Sequence, residues 1–308
     1  MTLDPLLLAR ATSAAAIAAQ DWVGRLEKEQ ADHACVEALR TSLGMLPFKA
    51  RVVIGEGEKD NAPALYKGEV LGSAEGEPTY DMAVDPLEGT RFCARGLANS
   101  FCVVALAKAG AMKDPGPSFY MDKIAVCAAA AKYISPEMSP KQMLKVIADK
   151  RGKSIKDIRV FILNRPRNKD KIDAVIAAGA RVSLHEGGDV LAALSIALDE
   201  GNIDLSLGIG GSPEGYLGVA ALKAAGCGFW GRFAPQSKAE QKATEDFGLD
   251  TACWYSAEEL IAGDTLFAAS GITDGALVQA PLFDGERWHS ETLVFSKTHG
   301  LARVELAL

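Results

Sequence analysis

Ile158-Arg159-Val160-Phe161-Ile162-Leu163, Arg181-Val182-Ser183-Leu184 and Ile203-Asp204-Leu205-Ser206-Leu207-Gly208-Ile209 are three short β-rich runs separated by stretches with helical spacing. That spacing predicts helices over 168–178, 190–198 and 216–225, with Gly179 placed to end the first. Strands alternating with helices of this length argue for a parallel sheet with crossover helices. Working outward, the first half is less regular. Helices are expected over 5–24 and 31–43, and strands over 51–54, 80–84 and 101–107. A strand over 266–269 and a terminal hairpin, 292–296 with 302–306, complete the pattern. The expected fold class is α/β, with an α+β first lobe and an α/β second lobe. The charged run Asp149–Lys156 predicts the boundary, giving lobes 1–150 and 151–308.

The chain has 308 residues, 48% hydrophobic, and a formal net charge of −7. That is enough apolar material for one large or two smaller cores. An acidic chain has no overall attraction for nucleic acid or anionic lipid, so a phosphorylated ligand would need local cations. The opening MTLDPLLLAR has no basic n-region, and the Ala-rich run Ala14–Ala19 is short. Neither a leader nor a membrane helix is expected. The six cysteines form no CxxC pair, which fits a reducing, cytoplasmic setting. The four histidines form no HxH or HExxH pair, so carboxylates would hold any metal.

Four segments carry candidate chemistry. Asp85-Pro86-Leu87-Glu88-Gly89-Thr90 follows an apolar strand and offers two carboxylates and a hydroxyl. Hard cations such as Mg²⁺ and Mn²⁺ favour clustered oxygens of this kind. An acidic surface turn is the plain alternative. Gly55-Glu56-Gly57-Glu58, followed by Lys59-Asp60, ends another strand and offers two more carboxylates, though taken alone it reads more readily as a solvated turn. Gly208-Ile209-Gly210-Gly211-Ser212-Pro213-Glu214-Gly215 joins a strand to a helix. Its backbone N–H groups suit an anion, and Glu214 suits either a helix cap or a metal. Asn164-Arg165-Pro166-Arg167 presents two guanidinium forks suited to phosphate, or an ordinary charged loop. Asp32, Lys28 and Tyr120, taken singly, read as surface or packing residues.

Taken in order, these segments resemble a known family. The series is Trp22-Val23-Gly24-Arg25, Lys28, Ala31-Asp32, VIGEGE (53–58), Ala62-Pro63, AVDPLEGT (83–90), PSFYMDK (117–123), RPR (165–167), GGDV (187–190), GIGGSPEG (208–215) and SGIT (270–273). It resembles the class II fructose-1,6-bisphosphatases over roughly residues 10–300. The DPLEGT segment is also similar to the signature of the wider inositol monophosphatase-like superfamily. Two departures are visible: Gly187-Gly188-Asp189 where the family often has Asp-Gly-Asp, and Arg165 where it often has lysine. After Phe233 the chain looks shorter than some relatives.

The resemblance implies a layered αβαβα architecture and hydrolysis of the 1-phosphate of fructose 1,6-bisphosphate with Mg²⁺ or Mn²⁺. By position, it implies Asp32, Glu56, Asp85, Glu88 and Glu214 as metal ligands. Thr90 would orient the attacking water, with Lys28 and Asp60 as catalytic partners. Glu88, Gly89, Thr90, Tyr120, Arg165, Pro166, Arg167, Gly187, Gly188, Asp189 and Gly211 would contact substrate. A homo-oligomer is also implied. Sedoheptulose 1,7-bisphosphate or another phosphomonoester remains an alternative substrate. A non-catalytic sugar-phosphate sensor is the alternative from another class.

Overall fold

The computed structural model describes residues 3–55, 64–199 and 203–308. In chain order the elements are α1 (Leu6–Ala18), α2 (Lys28–Gly44), β1 (Ala50–Ile54), β2 (Val70–Leu71), β3 (Tyr80–Glu88), α3 (Thr90–Ala94) and β4 (Phe101–Lys108). Then come β5 (Tyr120–Val126), α4 (Ala128–Ala131), α5 (Pro140–Arg151), β6 (Arg159–Leu163), α6 (Lys169–Ala177), β7 (Arg181–His185), α7 (Asp189–Leu198), β8 (Leu205–Gly211) and α8 (Ser212–Ala224). The last are β9 (Gly228–Phe233), α9 (Lys238–Asp246), β10 (Tyr255–Ser256), α10 (Ala257–Leu260), β11 (Thr265–Gly271), β12 (Leu282–Phe283), β13 (Trp288–Ser296) and β14 (Gly300–Ala307).

Two compact units form, Met1–Met112 with Ala262–Leu308, and Lys113–Ile261. This differs from a division at 150/151. The chain's last strands return to the first sheet, where Thr265 of β11 pairs with Ala107 of β4. The charged run 149–156 is instead the end of α5 and the turn after it. Its charges are taken up locally, because Arg151 Nε (2.9 Å) and Lys153 Nζ (2.7 Å) both reach the buried Asp204.

The first unit holds an eight-stranded sheet in the order β12-β13-β11-β4-β3-β1-β2, with β14 also paired to β13. Strands β1 and β3 are parallel, whereas β3, β4, β11 and β13 are successively antiparallel. Helix α1 packs on β11, β13 and β4. Its Ala9, Ala11, Ala15 and Ala16 are buried, and small side chains let a helix approach a sheet closely. Polar groups brought inside by that approach pair with one another. Ser13 Oγ lies 3.0 Å from Thr292 Oγ1, Thr292 Oγ1 lies 2.7 Å from Ser270 Oγ, and Ser270 Oγ donates to Thr12 Oγ1 at 2.7 Å. The helix expected to run to residue 24 stops at Ala18, followed by a short 3₁₀ turn over Gln20–Trp22.

The second unit holds a six-stranded sheet, β10-β9-β5-β8-β6-β7. The expected parallel arrangement holds for β6, β7 and β8. Strand β5 runs antiparallel to both β8 and β9, which makes the sheet mixed. Both units combine sheet and helix, as the α/β class requires.

The buried hydroxyls under α1 give a direct stability test. Thr292→Val keeps the shape but strips a shared partner from Ser13 and Ser270. The expected cost is about 1–3 kcal/mol, read as a lower urea midpoint at unchanged slope.

Candidate active site

In the first unit, DPLEGT proves to be strand rather than turn. Strand β3 continues through Glu88, with a register irregularity against β4 between Asp85 and Glu88. Pro86 sits in that irregular stretch, the place in a sheet where a missing N–H is tolerated. Asp85 Oδ1 accepts from Leu87 N at 3.0 Å and so braces it. The chain then turns at Gly89, whose φ of +80° favours glycine. Ser100 Oγ donates to the Gly89 carbonyl at 2.8 Å. Thr90 opens α3, and its Oγ1 donates to Leu87 O at 3.1 Å.

Glu88 is buried and Asp85 half-buried. Asp32 lies half-buried in the first turns of α2. Burial first, then the neighbouring Cys93 thiol and the carboxylates of Asp32 and Asp85, push the Cys35 thiol well above its usual range. The Cys35 thiol thus senses both carboxylates. The segment before α2 is tied to α3, since Gly24 N donates to Cys93 O (2.9 Å) and Leu26 N to Ala94 O (2.7 Å). That tie places Lys28 at the start of α2, where it is exposed and ion-paired with Glu29 at 3.1 Å. Glu56 and Asp60 lie outside the described residues. Among the described residues, no three His, Cys, Asp or Glu side chains converge closely enough to hold one ion.

In the second unit, the glycine-rich end of β8 gathers the other candidates. Asn168, fully buried, donates to Leu163 O (3.1 Å) and Ile209 O (3.2 Å) and accepts from Ile209 N (2.7 Å). Its bonds fasten the Arg165-Pro166-Arg167 segment to β8. Arg167 Nε donates to Ile209 O at 3.1 Å, and its guanidinium lies over the Tyr120 ring at 4.7 Å. Tyr120 in turn pairs with Gly211 across β5 and β8. Arg165 turns instead to Glu186, contacting its carboxylate at 2.8 Å and its carbonyl oxygen. The Asn164 amide and then Arg165 hold the Glu186 carboxyl below its ordinary range. Gly188, at φ +96°, leads into α7, which Asp189 begins.

Sequence reasoning missed Asn168 and Lys123. Lys123 is buried, and its Nζ contacts Asp189 Oδ2 at 2.5 Å and Gly211 O at 2.9 Å. The signal that could have found them was the glycine pattern. A Cβ on Gly210 would fall 1.9 Å from Asp189 Oδ2, and one on Gly211 would fall 1.7 Å from Glu214 Oε2. Glycines there leave room for charged side chains.

At the start of α8, Ser212 Oγ and Glu214 Oε2 are buried without a hydrogen-bond partner. Burial raises the Glu214 carboxyl above 4.5, Asp189 adds to the rise, and Lys123 opposes it. Unsatisfied buried oxygens are rare and call for an explanation. Hard oxygen donors of this kind fit Mg²⁺ or Mn²⁺.

This is an α/β protein with a carboxylate-bearing strand end in one unit, and glycine-lined loops with buried and stacked cations in the other. The chain belongs to the family described as bacterial fructose-1,6-bisphosphatase, glpX-encoded, which it matches over residues 5–306. It is 37% identical over 314 residues to the D-fructose 1,6-bisphosphatase class 2/sedoheptulose 1,7-bisphosphatase of Trichodesmium erythraeum, covering 94% of this chain and 91% of that one. The corresponding enzyme 2 of Acaryochloris marina is 38% identical, covering 94% and 90%. Among solved structures, the extragenic suppressor protein suhB of Bartonella henselae is 15% identical with a TM-score of 0.36, covering 62% of this chain and 72% of that one. The inositol monophosphatase of Anabaena is 14% identical with a TM-score of 0.33, covering 62% and 69%. The family resemblance read from the motifs is thus borne out.

The buried, unpartnered carboxyl of Glu214 predicts a stability effect. The folded state favours protonated Glu214, so its contribution is intact below pH 4.5 and is lost as pH rises through the elevated folded value. In metal-free protein, Glu214→Gln is expected to raise the melting temperature at pH 8, with the gain shrinking toward pH 4. A gain independent of pH would show that ionisation is not the cause.

Proposed function

We propose that this chain hydrolyses the 1-phosphate of fructose 1,6-bisphosphate, giving fructose 6-phosphate and phosphate, and accepts sedoheptulose 1,7-bisphosphate as well. The observation that carries the reading is the family match over residues 5–306, which spans every candidate segment. The second substrate rests on the names of the relatives, which carry both activities. In this reading Asp32, Glu56, Asp85, Glu88 and Glu214 hold Mg²⁺ or Mn²⁺. Bound ions of this kind neutralise phosphoryl oxygens and make a coordinated water acidic.

The chain's own residues do the rest. Thr90 donates its proton to Leu87 O, so its lone pairs are left to accept from the attacking water and aim it. Asp60, assisted by Lys28, helps to orient or deprotonate that water. The water oxygen bonds to phosphorus as the bond to the sugar oxygen breaks. Arg167, stacked on Tyr120 and braced on Ile209 O, offers a pre-set fork to a phosphate. Arg165, Pro166, Gly187, Gly188, Asp189 and Gly211, with Glu88 and Gly89, complete the substrate contacts. All six cysteines are free, which suits a reducing cytoplasm, and the proposed substrate places the enzyme in carbohydrate metabolism such as gluconeogenesis. A homo-oligomer is part of the same proposal.

Phosphate release from both sugar bisphosphates, with Mg²⁺ or Mn²⁺, tests the reading. Release that disappears in excess EDTA is expected, and undiminished release there refutes the metal role. Thr90→Val, which keeps the shape and removes the acceptor, is expected to lower kcat by about 10²-fold or more. Wild-type turnover in that variant refutes the role of the hydroxyl.

A further inference from the structure

Strand β5 carries a lysine where a buried strand ordinarily carries an apolar residue. The Lys123 side chain is 8% exposed, and that of its partner Asp189 12%. Its ammonium also reaches the Gly211 carbonyl, so one cation ties β5 to the first residue of α7 and the last of β8. Lys123, Asp189, Glu214, Gly215 and Gly218 line one small cavity. With all groups ionised, that pocket holds two carboxylates and one ammonium. The ammonium is committed to Asp189, and Glu214 Oε2 is left without a hydrogen-bond partner.

We propose that Lys123 is a positioning residue that holds Asp189 and the Gly211 carbonyl in the geometry that receives the sugar phosphate. The inference rests on the proposed function for the identity of the substrate. Two further observations support it. Gly210 and Gly211 lack the Cβ atoms that would push Asp189 and Glu214 aside, so the backbone of β8 is shaped around this arrangement. Neither glycine adopts a left-handed backbone, so their absence of side chain serves space rather than turn geometry. Without Lys123, the two acids beside adjacent positions of β8 would face each other in a buried pocket. Asp189 would then swing away from the place it now holds against β8.

Two variants test this by different routes. Lys123→Met removes the ammonium. Gly210→Ala keeps it, but places a Cβ 1.9 Å from Asp189 Oδ2 and 2.9 Å from Lys123 Nζ, forcing the pair apart. Each is expected to raise KM for fructose 1,6-bisphosphate by about tenfold or more while kcat falls by less than about threefold, the split of a lost positioning contact. Calorimetric binding of fructose 6-phosphate should weaken by a similar factor. In the cycle with Asp189→Asn, the double variant Lys123→Met/Asp189→Asn should be no worse than the poorer single one. Unchanged KM and binding in both variants, or additive effects in the cycle, overturn the positioning role while wild-type hydrolysis stands. Loss of the melting transition in both variants assigns the pair to stability alone and also overturns it. A wild-type chain that hydrolyses neither sugar bisphosphate removes the functional reading, and this role with it.

Discussion

The absence of side chains along the end of β8 is the constraint on which the second unit's loops depend. Gly208, Gly210 and Gly211 face Asn168, Asp189 and Glu214 respectively, and a Cβ at any of them would come within 3 Å of that neighbour. Glycine in a strand interior ordinarily costs stability, because it packs nothing and loses more chain entropy than other residues. Here the vacated volume is filled by polar groups from three other segments. Asn168 uses it to clamp the arginine loop, Asp189 to meet Lys123, and Glu214 to turn inward at the start of α8. The strand thus works as a rail onto which several loops are registered. Arg167 and Tyr120 inherit their positions from it, one through Ile209 O and the other through pairing with Gly211.

The buried acids of this unit are handled in opposite ways. Asp204 receives Lys153 Nζ, Arg151 Nε and the backbone N–H of Arg159 (2.9 Å), so its charge is fully compensated. Asp122 likewise sits between Lys171 at 2.5 Å and Arg232 at 3.3 Å. Each of these acids is held by two cations, so the pairs help to fix the fold in one arrangement. Glu214 is the exception, with a buried oxygen unpartnered and its carboxyl pushed up by burial. Among the described residues of this unit, Glu214 is thus the buried acid whose charged form the metal-free fold leaves uncompensated.

Much of this was legible in the sequence. The strand–helix alternation from Ile158 to Ala225 reads directly, because each strand there is short, apolar and followed by a helix with glycine near its end. The terminal hairpin and the strand at 266–269 read for the same reason. Strand β5 did not, since Tyr120–Val126 is buried on both faces and carries Asp122 and Lys123, so neither alternation nor apolarity marks it. The DPLEGT segment misled in another way. Pro and Gly suggest a turn, yet pairing with β4 carries the strand past Pro86 to Glu88, and only Gly89 turns. Site residues were recognisable as types at motif positions. Their partners were not, because Lys123 meets Asp189 and Asn168 meets Ile209 only once the sheet assembles. The lobe boundary failed because a charged run looks like a linker until its buried counter-ion, Asp204, is known.

Residues 113–261 are inserted into a unit whose sheet is completed only by the strands beyond residue 261. Strand β11, buried at every position, lies between β4 and β13, so the first sheet lacks its middle until the insertion has been traversed. Insertion of this kind is tolerated when each unit's entry and exit points lie together. Both do: Ala262 N donates to Ala111 O at 2.9 Å within the first unit, and Lys113 N to Leu260 O at 2.9 Å within the second. Each unit thereby closes its own ends with one backbone hydrogen bond. The cost falls on assembly, because β4–β11 pairing must wait for a loop closure spanning the whole insertion, the kind of non-local contact that slows folding. The buried hydroxyls that join α1 to β11 and β13 form across the same span, so the start of the chain is fastened by its end.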